Sequence, residues 1–154
     1  MILKVSQYLE RIRMSKISPY LTGDILDIGC GYGSVLRHHS PSFENYVGID
    51  HNPLVIKWLQ KHYPEYKFIQ VDIDTELIPD SNKFDTILMI AVIEHLTYPD
   101  KLVKILPRLL KPNGKVVLTT PTTLGGWIHT LGGELGIFSR EAKEDHKGFY
   151  NQEL

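Results

Sequence analysis

Residues 25–36 read ILDIGCGYGSVL, and this stretch decides the fold that the sequence predicts. An apolar run, interrupted by Asp27, leads into a turn with glycine at alternate positions and then into a helix-like segment. Glycines have no side chain, so the backbone of such a turn can approach a ligand closely and adopt positive φ angles. Free N–H groups at the start of the following helix can bind a negative group. The stretch therefore predicts a strand, a ligand-binding turn and a helix.

The rest of the first 120 residues repeats this alternation of strand and helix. Apolar runs rich in Ile, Val and Leu predict five strands, at Asp24–Ile28, Tyr46–Ile49, Lys67–Val71, Phe84–Ile90 and Lys115–Thr119. Dense apolar runs are typical of strands covered on both faces of a parallel sheet. The amphipathic stretches between them predict helices at Ser34–His39, Pro53–His62 and Tyr98–Leu110. We therefore expect an α/β fold: a doubly wound, Rossmann-like, mostly parallel sheet with right-handed crossovers.

The spacing of the glycines indicates which kind of nucleotide the turn would bind. A dinucleotide site has two residues between its second and third glycines, whereas Gly31 and Gly33 are separated by one. Asp50 ends the next apolar run, close to the ~20-residue spacing at which an acidic residue binds ribose hydroxyls. The loop therefore predicts a ribose-containing cofactor and counts against a nicotinamide dinucleotide.

Composition is that of an ordinary globular domain. The 154 residues are enough for one domain, and 42% hydrophobic and 23% charged residues are average values. A net charge of −1 gives no general attraction to nucleic acid or anionic lipid. No apolar run approaches the ~20 residues needed to cross a bilayer, and the first residues do not resemble a signal peptide. Since the single cysteine, Cys30, also fits a reducing compartment, we expect a cytoplasmic protein.

The first twenty residues predict an amphipathic helix that ends before Pro19. Val5, Tyr8, Leu9 and Ile12 fall on one face at helical spacing and are expected to be buried. Packing on the sheet is one interpretation of this helix, and a lid over the cofactor or substrate is the other.

The pattern changes after Thr120, where no further convincing strand is found. Trp127, Ile128 and Leu131 form an apolar cluster that either lines a substrate pocket or closes the core. We interpret residues 1–154 as a single domain, with an N-terminal helix in 1–20, a cofactor-binding core in 24–120 and an incomplete substrate-side segment in 121–154.

Several segments together resemble the class I S-adenosylmethionine-dependent methyltransferases, and most of all the methyltransferase type 11 branch. The turn, with Asp27 before it, is similar to the family's first motif. Gly48-Ile49-Asp50 and Val71-Asp72-Ile73 are similar to the ends of its second and third strands. Residues 84–96 and 109–118 are similar to its fourth and fifth strands. The resemblance covers roughly residues 19–121, with a looser match around residues 145–154.

The resemblance implies S-adenosylmethionine as the cofactor. The binding residues that it implies are Asp27, Gly29, Gly31, Gly33, Asp50, His51, Asp72, Ile73, Ile90 and Ala91. The glycines would line the methionine part, and Asp27 would support its amino group through water. Asp50 would bind the ribose, and His51 would lie against the adenine. The Asp72 side chain and the Ile73 N–H would read the adenine edge, and the carbonyls around residues 90–91 would face the sulfonium.

Two histidines are candidates for the catalytic site. By the resemblance, Glu94-His95 opens the substrate pocket, so that His95 could act as a general base, and His146 lies beside the pocket. Helix capping or packing is the alternative for the Glu94-His95 pair. We interpret Asp85 as structural and Cys30 as a packing residue, and we assign no metal site.

The implied reaction is a direct displacement at the sulfonium methyl, for which holding the reactants in line is worth ~7–11 kcal/mol. We expect a methyltransferase acting on an unidentified acceptor, most simply a small molecule. A non-catalytic cofactor-binding module and, less favoured, an NAD-dependent oxidoreductase are the alternatives.

The family's sheet has seven strands, whereas this sequence predicts five, so we expect part of a longer protein. The fifth strand would then be an exposed edge that pairs with a second copy or is covered by residues 121–136.

Overall fold

The structure, a computed structural model, describes residues 2–38, 43–78 and 83–120, with side chains from residue 10 onward. In chain order the elements are α1 (Ile2–Ile17), β1 (Gly23–Ile28), α2 (Ser34–His38), β2 (Phe43–Asp50), α3 (Pro53–His62), β3 (Lys67–Gln70), β4 (Phe84–Ile90), α4 (Pro99–Leu109) and β5 (Leu110–Thr119). Short 3₁₀ turns occupy Ser18–Tyr20 and Ile93–His95.

The five strands form one parallel sheet in the order β3-β2-β1-β4-β5. This confirms the predicted α/β class and the five predicted strands. After β1 the chain extends the sheet in one direction through β2 and β3, and it then returns to place β4 on the other side of β1. Ligands of such sheets bind at the carboxyl ends of the strands where this reversal occurs. The topology therefore places the candidate site at the end of β1.

The central strand is buried on both faces. Ile25, Leu26 and Ile28 have no solvent exposure. Alternate residues of β1 belong to different clusters: Ile25 packs with the residues of α1, α2 and α3, whereas Leu26 packs with those of α4. Burying one such side chain stabilises the fold by ~1.5–3 kcal/mol. These buried side chains therefore fix the end of β1, where the glycine loop begins.

Several element boundaries differ from the predicted ones. β2 begins at Phe43 rather than Tyr46, because Phe43 already pairs with Gly23. β5 begins at Leu110 rather than Lys115, because Leu110 pairs with Phe84 before the register shifts. Sequence patterning missed these residues, since polar and turn-forming residues interrupt both starts.

The N-terminal helix is present, but Ile12, the one residue of its predicted apolar face whose side chain is described, is not buried. Ile12 is 38% exposed, whereas Met14 and Ile17 are only 2% and 3% exposed. The face that packs on the sheet is therefore set by Met14 and Ile17, which meet the cluster around Ile25. The side chains of residues 5, 8 and 9 lie outside the described ones.

No helix in residues 2–38, 43–78 or 83–120 is long and apolar enough to span a membrane.

A charged cluster ties three strands together at the opposite, amino edge of the sheet. The Lys111 ammonium lies 2.6 Å from Asp24 and 2.8 Å from Asp85. The Asp85 carboxylate also accepts the N–H of Asp24 at 2.8 Å. The Lys111 hydrogen bonds lower the pKa of both carboxyl groups. These contacts support the structural interpretation of Asp85.

We expect Lys111→Met to lower the midpoint of thermal unfolding by a few degrees near neutral pH, because it leaves two carboxylates without their common partner. A carboxyl group with a lowered pKa stabilises the fold above its unfolded pKa, and this stabilisation is lost as the pH falls through the folded value. The difference between variant and unsubstituted chain should therefore shrink below pH 3.8, the ordinary value. Lys104→Met, which removes an exposed pair with Asp100 within α4, is the control. Equal effects of the two substitutions would contradict the prediction.

Candidate functional site

The glycine loop has the backbone conformation that its sequence predicts. The φ angles of Gly29, Gly31 and Gly33 are 71°, 50° and 70°, all in the left-handed region. The N–H groups of Gly29 and Cys30 donate to the Ile49 carbonyl at 2.8 and 3.0 Å. The loop therefore follows β1 as a turn anchored on the neighbouring strand β2.

Gly31 faces open space. A Cβ atom built on it meets no heavy atom of the described residues within 4 Å, whereas a Cβ on Gly29 would lie 2.4 Å from the Val92 side chain. The two glycines are thus needed for different reasons: Gly29 lets β1 and the segment after β4 approach each other, and Gly31 leaves its surroundings free. The space above Gly31 is the cradle in which a ligand could contact the backbone.

Asp50 lies next to this cradle. Its carboxylate accepts the Gly31 N–H at 3.0 Å on Oδ2 and the Asn52 N–H at 2.9 Å on Oδ1. The cap of α3 is Asn52, whose side chain accepts the Leu54 N–H at 3.0 Å. Asp50 therefore does not cap α3. Its carboxylate is held against the loop at the end of β2.

His51 is an exposed neighbour of this carboxylate. Its imidazole Nδ1 lies 3.6 Å from Asp50 Oδ1, and its side chain is 80% exposed. No described contact fixes it against another ring, so its predicted position against the adenine stays a prediction.

Asp27 is buried directly beneath the loop. Its carboxylate accepts the Tyr46 hydroxyl at 2.5 Å, and the residue is only 2% exposed. Burial raises the pKa of Asp27 to about 7, although the Tyr46 hydrogen bond opposes this rise. Sequence reasoning missed Tyr46; the available signal was a tyrosine at the start of the predicted strand, in reach of an acid in the neighbouring strand.

The predicted adenine-reading residues follow β3. Asp72 is exposed, and its carboxylate accepts the Asp74 N–H at 3.1 Å, while its own N–H lies 3.4 Å from Glu76 Oε1. These bonds stabilise the turn from Asp72 to Glu76. Ile73 is half-buried and packs against the α4 side of the sheet. Their role towards adenine stays a prediction.

The carboxyl end of β4 contains a strained residue. Ala91 has a φ of 54°, a conformation that costs a non-glycine residue roughly 1–3 kcal/mol. Its N–H donates to Thr119, at 3.0 Å to the carbonyl and at 3.1 Å to the hydroxyl. These bonds to β5 hold the chain in its unfavourable conformation directly after Ile90. Strain of this kind accumulates at ligand-binding positions.

The 3₁₀ turn that follows contains two polar residues, and the one expected to be catalytic, His95, is the more exposed of the two. Glu94 Oε2 is buried and has no hydrogen-bond partner among the described residues, whereas His95 is exposed. Within the same part of the chain, the buried hydroxyl of Thr120, directly after β5, also has no partner. Buried polar atoms of this kind are costly unless they meet a partner. Glu94 is therefore the better-placed side chain of the pair, and sequence reasoning had favoured His95.

The remaining candidates lie elsewhere. His146 and the apolar cluster of Trp127, Ile128 and Leu131 are outside the described residues. Cys30 is 4% exposed, and burial raises the pKa of its thiol, which agrees with a packing role. In the described ranges no group of three or more His, Cys, Asp and Glu side chains could hold a metal ion.

The structure thus brings together the glycine loop, Asp50 and Ala91, since the carboxyl ends of parallel strands meet at one edge of the sheet. A ligand in the open cradle at Gly31 can contact the backbone of the loop. The adjacent Asp50 carboxylate can accept hydrogen bonds from two ribose hydroxyls. The residues present therefore fit S-adenosylmethionine.

Comparison with known proteins gives the same assignment. Residues 4–150 match a family model described as a methyltransferase domain. The chain is similar to the ubiquinone biosynthesis O-methyltransferase of Xanthomonas oryzae pv. oryzae strain PXO99A, with 28% identity over 120 residues, which are 73% of this chain and 50% of that protein. The chain therefore spans half the length of this curated relative. The finer assignment to the type 11 branch stays a prediction.

Solved structures share the fold. A TehB-like methyltransferase from Corynebacterium glutamicum superposes with a TM-score of 0.66 and 20% identity, covering 82% of this chain and 71% of that one. CalS10 of Micromonospora echinaspora, an amino pentose methyltransferase solved with S-adenosylmethionine bound, gives a TM-score of 0.60 and 18% identity, covering 75% and 55%. At this identity the likeness concerns the fold alone.

Proposed function

This chain belongs to the methyltransferase domain family, and we propose that it binds S-adenosylmethionine and transfers the methyl group to a small-molecule acceptor. The observation that carries the proposal is the open cradle at Gly31 beside the Asp50 carboxylate. This pair offers backbone contact to one part of the cofactor and two acceptor oxygens to its ribose.

The residues around the cradle would mainly position the reactants. When bound, S-adenosylmethionine supplies a methyl group on a positively charged sulfur, which a nucleophile displaces directly. Gly29, Gly31 and Gly33 would contact the methionine part, and Asp50 would orient the ribose. The strained backbone at Ala91 would present the end of β4 to the reacting centre. Positioning of this kind can supply much of the rate enhancement.

The buried oxygen of Glu94 supports an acceptor site after β4. A buried carboxylate oxygen without a partner is stabilised when a hydroxyl or amino group of a substrate reaches it. The name of the Xanthomonas relative makes a hydroxyl the first acceptor group to test. His95, which is exposed, stays the predicted general base.

We expect Glu94→Gln to lower the rate of methyl transfer about ten-fold while leaving the affinity for S-adenosylhomocysteine within about two-fold, because general-base and positioning groups act on the acceptor. Transfer of radioactive methyl groups to a panel of small phenols and amines would measure it. Glu44→Gln, an exposed glutamate of β2, is the control. An unchanged rate in Glu94→Gln would remove Glu94 from the acceptor site.

Calorimetry tests the proposed function most directly. We expect the chain to bind S-adenosylhomocysteine and not NAD. Binding of NAD instead would favour the oxidoreductase alternative. Cofactor binding without methyl transfer to any acceptor, in this chain and in a longer form of the protein, would favour the non-catalytic module.

We also propose a homodimer formed through β5. In the described residues β5 pairs only with β4, so its other edge offers unpaired N–H and C=O groups. Val116, Val117 and Leu118 are half-buried on it. Sedimentation equilibrium would measure the association, and a strictly monomeric chain would contradict it.

A further inference from the structure

A buried hydrogen bond between two side chains lies beneath the glycine loop. It joins the Tyr46 hydroxyl on β2 to the Asp27 carboxylate on β1, at 2.5 Å, and both residues are 2% exposed. Asp27 precedes Gly29 by two residues, so the bond lies at the base of the cofactor cradle. The cofactor-binding and methyl-transfer roles proposed above do not include Tyr46.

The strand register explains how the two side chains meet. Tyr46 pairs with Ile25, while Asp27 pairs with Gly48, so the tyrosine reaches its partner diagonally on one face of the sheet. A Cβ on Gly48 would lie 2.9 Å from the Phe68 ring and 3.0 Å from the Cys30 sulfur. The glycine therefore allows the aromatic cluster and the loop to pack closely around the bond.

The Tyr46 ring itself is fixed by aromatic neighbours. Ring centroids lie 5.6 Å away for Phe43, 5.6 Å for Tyr66 and 6.1 Å for Phe68. Because the ring is held on several sides, its hydroxyl has little freedom, and the direction in which it donates is set by the fold.

The groups around Asp27 leave the Tyr46 hydroxyl as the main stabiliser of its ionised carboxylate. Two neighbours, Cys30 in the loop and Asp50 at the end of β2, act electrostatically on the buried pair. Tyr63, directly after α3, acts on Tyr46. The residues packed there from α1, α2 and β4 are the apolar Met14, Val35 and Leu88. None of these groups carries positive charge. In the free protein the ionised form of Asp27 is therefore stabilised chiefly by the Tyr46 hydroxyl.

We propose that Tyr46 is a positioning residue for the cofactor: its hydroxyl holds the Asp27 carboxylate in one orientation and favours its ionised form, which receives the ammonium group of the cofactor's methionine part. The inference rests on the proposed function. The cofactor adds positive charge where the described residues place none, so its binding releases the Asp27 proton to solvent whenever the free carboxyl group is protonated.

The pH dependence of binding follows from this arrangement. The Asp27 pKa of about 7 means that the free chain holds the proton in mildly acidic solution. The affinity for S-adenosylhomocysteine should therefore rise with pH and level off above this value. Removing a donor that favours the ionised form raises the pKa, so the same rise should occur at higher pH in Tyr46→Phe.

Calorimetry with S-adenosylhomocysteine, repeated across mildly acidic to mildly alkaline pH, tests the inference on the 154-residue chain. We expect Tyr46→Phe to bind about ten-fold more weakly below neutral pH, to shift the rise by about one pH unit, and to approach the unsubstituted affinity in alkaline solution. Titration of the ligand's own amino group affects both proteins equally and cancels in the ratio of affinities. Tyr66→Phe removes a hydroxyl from the same aromatic cluster and is the control.

The outcomes separate the inference from the proposed function. If the unsubstituted chain binds S-adenosylhomocysteine and Tyr46→Phe shows the same pH profile, Tyr46 has a packing role and the inference is wrong. A uniform loss of affinity at every pH in Tyr46→Phe, or an equal effect of Tyr66→Phe, also overturns it. No binding by the unsubstituted chain at any pH overturns the proposed function, and the inference with it.

A second measurement does not depend on the variant folding. The ¹³C resonance of the Asp27 carboxyl group, followed in the unsubstituted chain, should titrate near neutral pH without ligand and at clearly lower pH with S-adenosylhomocysteine bound. A midpoint that does not move on binding contradicts the contact between Asp27 and the cofactor's ammonium group.

Discussion

Gly31→Val is expected to lose at least about 100-fold in affinity for S-adenosylhomocysteine while the chain remains folded. No heavy atom in the described part of the chain lies within 4 Å of a Cβ at residue 31, so the new side chain would occupy the cradle. Since the ligand and a valine side chain cannot share this space, binding should be lost rather than weakened slightly. Calorimetry measures the affinity, and circular dichroism measures the fold.

The backbone conformation adds a cost that the experiment must separate from this steric block. Gly31 has a φ of 50°, which is unfavourable for a β-branched residue by roughly 1–3 kcal/mol. A domain stable by ~5–15 kcal/mol tolerates that loss. Gly31→Asn is the matched variant, because asparagine accepts the left-handed region and still fills the cradle. We expect it to be more stable than Gly31→Val and to bind almost as poorly. Normal binding by either variant would show that the loop is only a turn.

Asp50→Ala is expected to weaken S-adenosylhomocysteine binding by more than ten-fold and up to about 100-fold. One hydrogen bond to a charged group contributes ~1.5–3 kcal/mol, which corresponds to a change in affinity of about ten- to 100-fold. The substitution also leaves the N–H groups of Gly31 and Asn52 without their acceptor. Loss of the ribose contact and loosening of the loop therefore act in the same direction.

Two further variants distinguish these causes. Asp50→Asn keeps one acceptor oxygen for the loop and removes the charge, so we expect an intermediate affinity. Asp24→Ala removes a carboxylate at the opposite edge of the sheet, where it pairs with Lys111. It should lower thermal stability without changing the affinity. If Asp50→Ala bound the ligand as tightly as the unsubstituted chain, the assignment of the ribose site would fail.

Much of the fold could be predicted from local patterns. Asn52 and Pro53 mark the start of α3, and the structure confirms both the proline at its first position and the asparagine cap. The glycine loop follows β1 as predicted, because three glycines and the apolar run before them specify a turn and a buried strand without reference to distant residues. The order of elements was predictable for the same reason.

Predictions of burial were less successful, because burial depends on packing partners. Ile12 lies on an apolar face of α1 by sequence spacing, yet Met14 and Ile17 are the residues that meet the sheet. The α1 sequence contains both sets of apolar residues, and only the positions of α2 and the sheet determine which set is buried. His95 and Glu94 present the same difficulty: adjacent residues in a 3₁₀ turn point in different directions, and the turn's orientation is set by β4 and β5.

The sequence by itself determined the α/β class, the five strands in chain order, and the position of the candidate site at the glycine loop and Asp50, because periodicity and turn chemistry act between residues close in the chain. Only the tertiary structure decided that Tyr46 donates to Asp27, that Ala91 is held at positive φ by Thr119, and that Oε2 of the half-buried Glu94 is buried while His95 is exposed. Those contacts join residues of different strands or orient a turn against them. They depend on strand register and long-range packing, which no short stretch of sequence encodes.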